Sequence, residues 1–413
     1  MTQAVEHIVV VGGGLAGAKA VETLRGKGYA GSLTLVGDEV HLPYERPPLS
    51  KGYLAGTSPF EKAVVHPEQW YRDNDVDLRL AVKAIAIDRG AHEVTLTDGT
   101  TLPYSKLLLA TGALPRHIDL PGADAQGVLY LRNREDSDAI RAAFGPGKRI
   151  AIIGAGWIGL EVAAAARQAG TEVVVVEVAE LPLLNVLGPD LAQVFADLHR
   201  SHDVDLRLGT TTAEITASDG VATGLLLGDG SQVSAVAVVV GVGVAPNIAL
   251  AGAAGLDIDN GVLVDASLRT SDPDIYAVGD IANHDHPLLG MRVRVEHWAA
   301  ALNQPKAAAA AMLGEDVQYS DLPYFYTDQY DLGMEYVGHA PRGSFERVVV
   351  RGDLAAREFV AFWLDGGDRI KAAMNVNVWD VVDEIKPLIR AGVVVDPQRL
   401  ADPAVQYADL ARV

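Results

Sequence analysis

The sequence predicts an α/β protein in three parts: two parallel-sheet domains of one design, followed by a C-terminal α+β domain. Three observations predict it. Two apolar, β-branched runs, HIVVV at 7–11 and RIAII at 149–153, each lead straight into a glycine cluster and a helical stretch. Each helix is followed by a second apolar strand that ends at an acidic residue. From about residue 323 the pattern changes to alternating, β-rich segments separated by turn residues. Strands that are apolar throughout belong to parallel sheets covered on both faces, whereas alternation marks a sheet with one face toward solvent.

In the first unit the strand at 7–11 enters Gly12-Gly13-Gly14-Leu15-Ala16-Gly17, a G-x-G-x-x-G pattern at Gly12, Gly14 and Gly17. The first glycine makes the tight turn, the second lets backbone approach a pyrophosphate, and the third lets the helix pack on the strand. The free N–H groups at the helix start then face the phosphates. The second strand, SLTLVG, runs into Asp38, 21 residues beyond Gly17, where a carboxylate can accept from ribose hydroxyls. The same pattern returns with Gly154, Gly156 and Gly159, a helix, the strand at 172–176 and Glu177. One such motif is a weak signal; two complete units make both domains Rossmann-like and predict two bound dinucleotides.

Composition narrows the function. Hydrophobic residues are 49% and charged residues 21% of 413, an ordinary globular balance. The formal charge of −20 argues against nucleic acid as a partner, which needs a basic face. No apolar run reaches the roughly 18 residues of a membrane span, and the opening MTQAVEHIVVVGGG enters a strand without signal-peptide segments, so a cytoplasmic protein is expected. There are no cysteines, which removes disulfides, thiolate nucleophiles and Cys-ligated clusters or zinc. His284-Asp285-His286 lacks further ligand spacing, and no metal is expected. The alanine run at 307–311 reads as packed helix, and VWDVVDEIKPLIRAG as a helix closing at Gly392.

Further motifs follow in order. KLLLATGALPR (106–116) carries Ala110-Thr111-Gly112; VVVGVGVAPN (238–247) carries Gly243; TSDPDIYAVGDIA (270–282) carries Gly279-Asp280. In this order they resemble the two-dinucleotide flavoprotein reductases related to glutathione reductase. Arg46-Pro47-Pro48-Leu49-Ser50-Lys51 and TDQYDLG (327–333) narrow the resemblance to the NADH-dependent ferredoxin reductases of bacterial oxygenase systems. It covers nearly the whole chain. It implies an FAD-binding domain at 1–114 and 245–322, an NAD-binding domain at 115–244 and a C-terminal domain at 323–413. FAD would meet Gly12, Gly14, Leu15, Ala16, Gly17, Asp38, Arg46, Lys51, Ala84, Ala110, Thr111, Gly112, Arg132, Gly279, Asp280 and Trp298. NADH would meet Gly154, Gly156, Trp157, Ile158, Gly159, Glu161, Glu177 and Gly243.

The resemblance also implies roles. Lys51 would pair with Glu161 beside the flavin N5, its cation favouring the charge that arrives with hydride. Trp298 would lie at the flavin face or on the electron exit. Glu177 favours NADH, since a 2′-phosphate beside a carboxylate costs up to about 4 kcal/mol at 4 Å and an effective dielectric near 20. Relatives often carry arginine near position 185, where this chain has Asn185. Thiol reductases of this fold place a cysteine pair shortly before the lysine; lacking it, this chain would pass electrons from flavin directly to a [2Fe-2S] ferredoxin. Arg292 and Arg294, on one face of a strand before Trp298, are the first candidates for its docking patch. Rubredoxin reduction is the alternative with the same chemistry, and an NADH-sensing binding module like apoptosis-inducing factor the alternative of another class. A monomer or weak dimer is expected.

Overall fold

The computed structural model describes residues 5–410, and its contacts divide the chain into two units. The first comprises Met1–Arg46, Phe60–Leu114 and Ala245–Pro323; the second comprises Pro47–Pro59, Pro115–Val244 and Tyr324–Val413. The loop Pro47–Pro59 thus packs with the second unit.

In the first unit a parallel sheet runs Ile275–Ala277, Lys106–Leu109, His7–Val11, Ser32–Val36, Val76–Arg79. Val9, Val10, Leu107 and Leu108 are all buried, as full coverage of a parallel sheet requires. The helix Leu15–Gly26 covers one face with Ala18, Ala20, Val21 and Leu24. Small side chains on this face let the backbone lie close to the strands. The long helix Trp298–Met312 contains the predicted alanine run and tolerates Pro305 in its interior.

The second unit repeats this order: Val204–Arg207, Glu172–Val176, Arg149–Ile153, Ala237–Val240, Val128–Leu129, all parallel. Its helix Trp157–Gln168 buries Leu160, Val162 and a run of four alanines. The same unit holds an antiparallel sheet ordered Tyr324–Gln329, Leu332–Gly338, Ile370–Val376, Glu358–Leu364, Arg347–Asp353. One apolar cluster joins the two sheets, from Leu160 and Phe195 to Met334, Phe359 and Trp363. The last long helix, Val382–Ala391, stops at Gly392 in the left-handed conformation (φ 60), as expected; it begins at Val382, later than the predicted segment.

Candidate functional site: two glycine cradles and a buried ion pair

The six fingerprint glycines answer to two different demands. A Cβ on Gly12 would stand 2.1 Å from the Ala110 carbonyl oxygen, and Gly12 has φ +128, so the crossing of these two backbones requires glycine. A Cβ on Gly17 would meet the Gly12 carbonyl at 2.0 Å. The second cradle repeats the geometry, with Gly154 against Gly241 at 2.5 Å and Gly159 against Gly154 at 2.2 Å. The middle glycines differ. Nothing lies within 4 Å of a Cβ on Gly14, and the nearest atom to one on Gly156 is 3.9 Å away. No part of the described chain requires glycine there. A pyrophosphate approaching the helix start does, so both cradles fit the dinucleotides they predict.

Around the first cradle, Asp38 is exposed at the end of its strand, and Ala84 is buried at the start of Ala84–Asp88. Thr111 donates to the Asn247 carbonyl at 2.7 Å, and Asn247 N–H donates to Gly112 at 2.8 Å, tying the Ala110-Thr111-Gly112 segment to the V-A-P-N segment. Gly279 N–H donates to Gln304 at 2.8 Å. Arg46 pairs with Glu39 at 2.6 Å. Although burial opposes its charge, Tyr44, Glu39 and Asp280 hold its guanidinium above the ordinary arginine range. Trp298 opens its helix and donates Nε1–H to Glu45 at 3.0 Å. Glu45 was not expected from sequence.

Around the second cradle, Glu177 has backbone partners: Ala155 N–H donates to it at 2.7 Å and Ala179 N–H at 3.0 Å. The carboxylate is therefore held at the mouth of the glycine loop. Trp157 packs edge-on against Phe195 and Phe325, while Ile158 is exposed. Gly243 adopts φ +96 and accepts from Arg116 N–H. Arg132 donates its N–H to Asp136, part of the cap of the helix Arg134–Ala142. Asn185 is exposed on the short helix Leu184–Leu187.

The second unit brings Lys51 and Glu161 together at 2.8 Å, with side chains 15% and 4% exposed. The short helical turn Pro47–Ser50 delivers the lysine: Lys51 N–H donates to Pro48, and Ser137 donates to Leu49 O, anchoring the loop on the helix Arg134–Ala142. Glu161 sits in the first turns of Trp157–Gln168 and also accepts from the Ser50 hydroxyl and, at 2.6 Å, from Thr327. Two hydroxyls and one ammonium thus converge on a buried carboxylate, the satisfaction such a charge needs. Lys51 also lies 5.4 Å from the Tyr326 ring centroid. Ser50 lies in Arg46-Pro47-Pro48-Leu49-Ser50-Lys51 and Thr327 in TDQYDLG (327–333). For Thr327 the available signal is periodicity: in TDQ, Thr327 and Gln329 share one strand face and are both polar, which is odd for a buried face unless they bond something; Ser50 carries no such signal.

Two expectations on charged surface residues change. The strand before Trp298 ends at Val293, so Arg292 and Arg294 do not share an exposed face. Arg292 is exposed at residue level yet donates to Val264 and Asn283 carbonyls. Arg294 has only 10% of its side chain exposed, pairs with Glu296 and donates to the Asp280 carbonyl at 3.2 Å. Arg294 lies one residue past the end of the strand, so the two-residue alternation of a strand face does not extend to it. Among the described residues no group of acidic or histidine side chains is arranged to hold a metal, and no helix is long and apolar enough to cross a membrane.

The protein-family model for pyridine nucleotide-disulphide oxidoreductases matches residues 6–305, and the reductase C-terminal model matches 324–411. The chain is 43% identical over 403 residues to the ferredoxin–NAD(+) reductase component of the anthranilate 1,2-dioxygenase system of Burkholderia cepacia, covering 97% of this chain and 98% of that one. It is 36% identical over 410 residues to putidaredoxin reductase of Pseudomonas putida, covering 98% and 96%. Its fold superposes with a TM-score of 0.93 on the crystal structure of the covalent putidaredoxin reductase–putidaredoxin complex, at 36% identity and covering 98% and 97% of the two chains. The chain is a member of the pyridine nucleotide-disulphide oxidoreductase family, with a reductase C-terminal domain.

Proposed function

We propose that this protein is an FAD-dependent oxidoreductase that takes hydride from NADH and passes electrons one at a time to a [2Fe-2S] ferredoxin serving an oxygenase. The observation that carries the reading is a pair of glycine cradles, each open in front of its middle glycine, in a chain with no cysteine. Two dinucleotides supply a hydride donor and a redox acceptor, while the missing thiols leave no sulfur relay between flavin and partner. The names of the relatives, reductase components that deliver to ferredoxin or putidaredoxin, support the partner class. We assign FAD to 1–114 with 245–322, NADH to 115–244 and the C-terminal domain to 323–413, in the cytoplasm.

When bound, the flavin accepts a hydride and releases its electrons singly. The residues do the rest. Gly14, Leu15, Ala16 and Gly17 would present backbone N–H groups to one pyrophosphate, and Gly156, Trp157, Ile158 and Gly159 to the other. Asp38, Arg46, Ala84, Thr111, Arg132, Asp280 and Trp298 are assigned to FAD, and Glu177 and Gly243 to NADH. Glu177, fixed by two backbone donors, keeps a carboxylate where a 2′-phosphate would bring further negative charge. The Lys51 charge, fixed by Glu161 at 2.8 Å, would favour the negative charge that a bound flavin gains with hydride.

The test is NADH-dependent reduction of a [2Fe-2S] ferredoxin by the yellow, FAD-loaded protein. Rapid turnover supports the reading; turnover only with rubredoxin changes the partner. A long-lived reduced complex that reduces no ferredoxin supports an NADH-sensing binding module instead. Ferredoxin docking is proposed near Arg292 and Trp298, with Arg294 beneath this surface, paired with Glu296 and bonded to the Asp280 carbonyl. Arg292→Glu should lower ferredoxin reduction several-fold and spare reduction of a small dye; equal loss in both refutes the patch.

A further inference from the structure

Three polar side chains in the second unit, Thr327, Gln329 and His199, are at most 1% exposed and belong to neither glycine cradle. They are linked in one line. Thr327 donates to Glu161 at 2.6 Å, Gln329 Nε2 lies 3.2 Å from Thr327 Oγ1, His199 Nε2 lies 2.8 Å from Gln329 Oε1, and Tyr330 O–H lies 3.4 Å from His199 Nδ1. We infer that Gln329 and His199 are positioning residues for the Lys51–Glu161 pair, forming with Tyr330 and Thr327 a one-way chain of hydrogen-bond donors that ends on the Glu161 carboxylate. Its relevance to hydride transfer rests on the function proposed above; its existence does not.

The direction follows from the last acceptor. A carboxylate only accepts, so Thr327 must spend its single hydrogen on Glu161. Its oxygen can then only accept from Gln329, which turns the amide N–H₂ toward Thr327 and the carbonyl toward His199. That carbonyl requires a hydrogen on His199 Nε2, leaving Nδ1 as the lone pair that faces Tyr330. Burial keeps the imidazole neutral, lowering it to about 4, and raises Tyr330 above the ordinary phenol range, so its O–H remains a donor. The carboxylate thus selects one histidine tautomer through two intervening side chains. A buried polar group in such a network is held more rigidly than one with a single partner. Tyr330 fixes the far end: its backbone is left-handed (φ 57), and its ring stacks on His202 at 3.7 Å.

Selective ¹⁵N-histidine labelling of the FAD-loaded protein reads the tautomer directly. His199 is expected with a protonated Nε2 and an unprotonated Nδ1; the opposite tautomer, or a mixture, overturns the chain. Two substitutions then separate position from bulk. His199→Gln places an amide N–H close to where Nε2–H stands, whereas His199→Asn places it near Nδ1. His199→Gln should keep kcat for NADH-driven dye reduction within about two-fold. His199→Asn and Gln329→Met should lower it up to about ten-fold at unchanged KM for NADH, the scale of one net hydrogen bond. Equal kcat in the two histidine variants refutes the positioning role. If the histidine variants fail to fold, the wild-type tautomer decides the chain, and unchanged kcat in Gln329→Met refutes the positioning role. If wild-type protein is not reduced by NADH at all, the functional reading fails, and the tautomer still decides the chain.

Discussion

Replacing Glu161 by glutamine tests the ion pair without changing shape. The carboxylate is 4% exposed and takes donors from Lys51 at 2.8 Å, Thr327 at 2.6 Å and Ser50. An amide of the same size has one acceptor oxygen, which would face Lys51 and Thr327 while its N–H₂ turned to Ser50. The hydrogen bonds could largely be remade, but the charge partner of Lys51 could not. Breaking a buried pair by removing one member costs about 3–5 kcal/mol. Lys51 is 15% exposed and can turn its ammonium toward water, so Glu161→Gln belongs at the lower end, about 3 kcal/mol. Lys51→Met should cost more, about 4 kcal/mol, because the carboxylate it abandons is only 4% exposed, against 15% for the lysine. The double substitution removes both charges and should cost about 2–3 kcal/mol less than the sum. Urea unfolding of the four proteins at one fixed FAD concentration measures this coupling, since ligand binding itself shifts stability. A coupling below about 0.5 kcal/mol would mean that the two charges do not sense each other, and would refute the pair as a unit.

The two kinds of fingerprint glycine should separate on mutation. Gly14→Ala should fold with near-normal stability and lose FAD on gel filtration, while Gly12→Ala, 2.1 Å from the Ala110 carbonyl, should be destabilised with or without FAD; equal FAD retention by wild type and Gly14→Ala would refute the cradle. Glu177→Ala should narrow the NADH over NADPH preference in kcat/KM at least about ten-fold, a fraction of the roughly 4 kcal/mol worked above; an unchanged ratio removes the residue from cofactor choice. Acid should destabilise the protein through His199 and His284, both buried and lowered from 6.5 to about 4. Between those values the unfolded chain binds more protons than the folded one, so stability falls as pH drops from about 6.5 toward 4, by up to about 3 kcal/mol per histidine. Denaturant titrations across that range check it, and His199→Gln should flatten the slope.

The sequence by itself determined the features that arise from neighbours along the chain. Strand–glycine–helix–strand units are local, because an apolar run, a tight turn and a helix start depend on residues within about 30 positions, and both appear where the motifs placed them. The absence of cysteine was likewise complete information. The tertiary structure decided partners. Lys51 and Glu161 were paired in advance only through resemblance to a family, since no local rule joins residues 110 positions apart. Ser50 and Thr327 reach Glu161 across 111 and 166 positions, and nothing in either motif names the carboxylate they serve. Arg294 shows the converse. Read locally, it shared a strand face with Arg292; in the fold the strand ends one residue earlier and the side chain turns inward. Which glycine serves the protein and which serves the ligand was also invisible in the motif, because that depends on what another segment places within 4 Å of an absent Cβ. Hydrogen-bond partners and steric neighbours are set by chain crossings, and a linear pattern records a residue's own periodicity but not which segment it will meet.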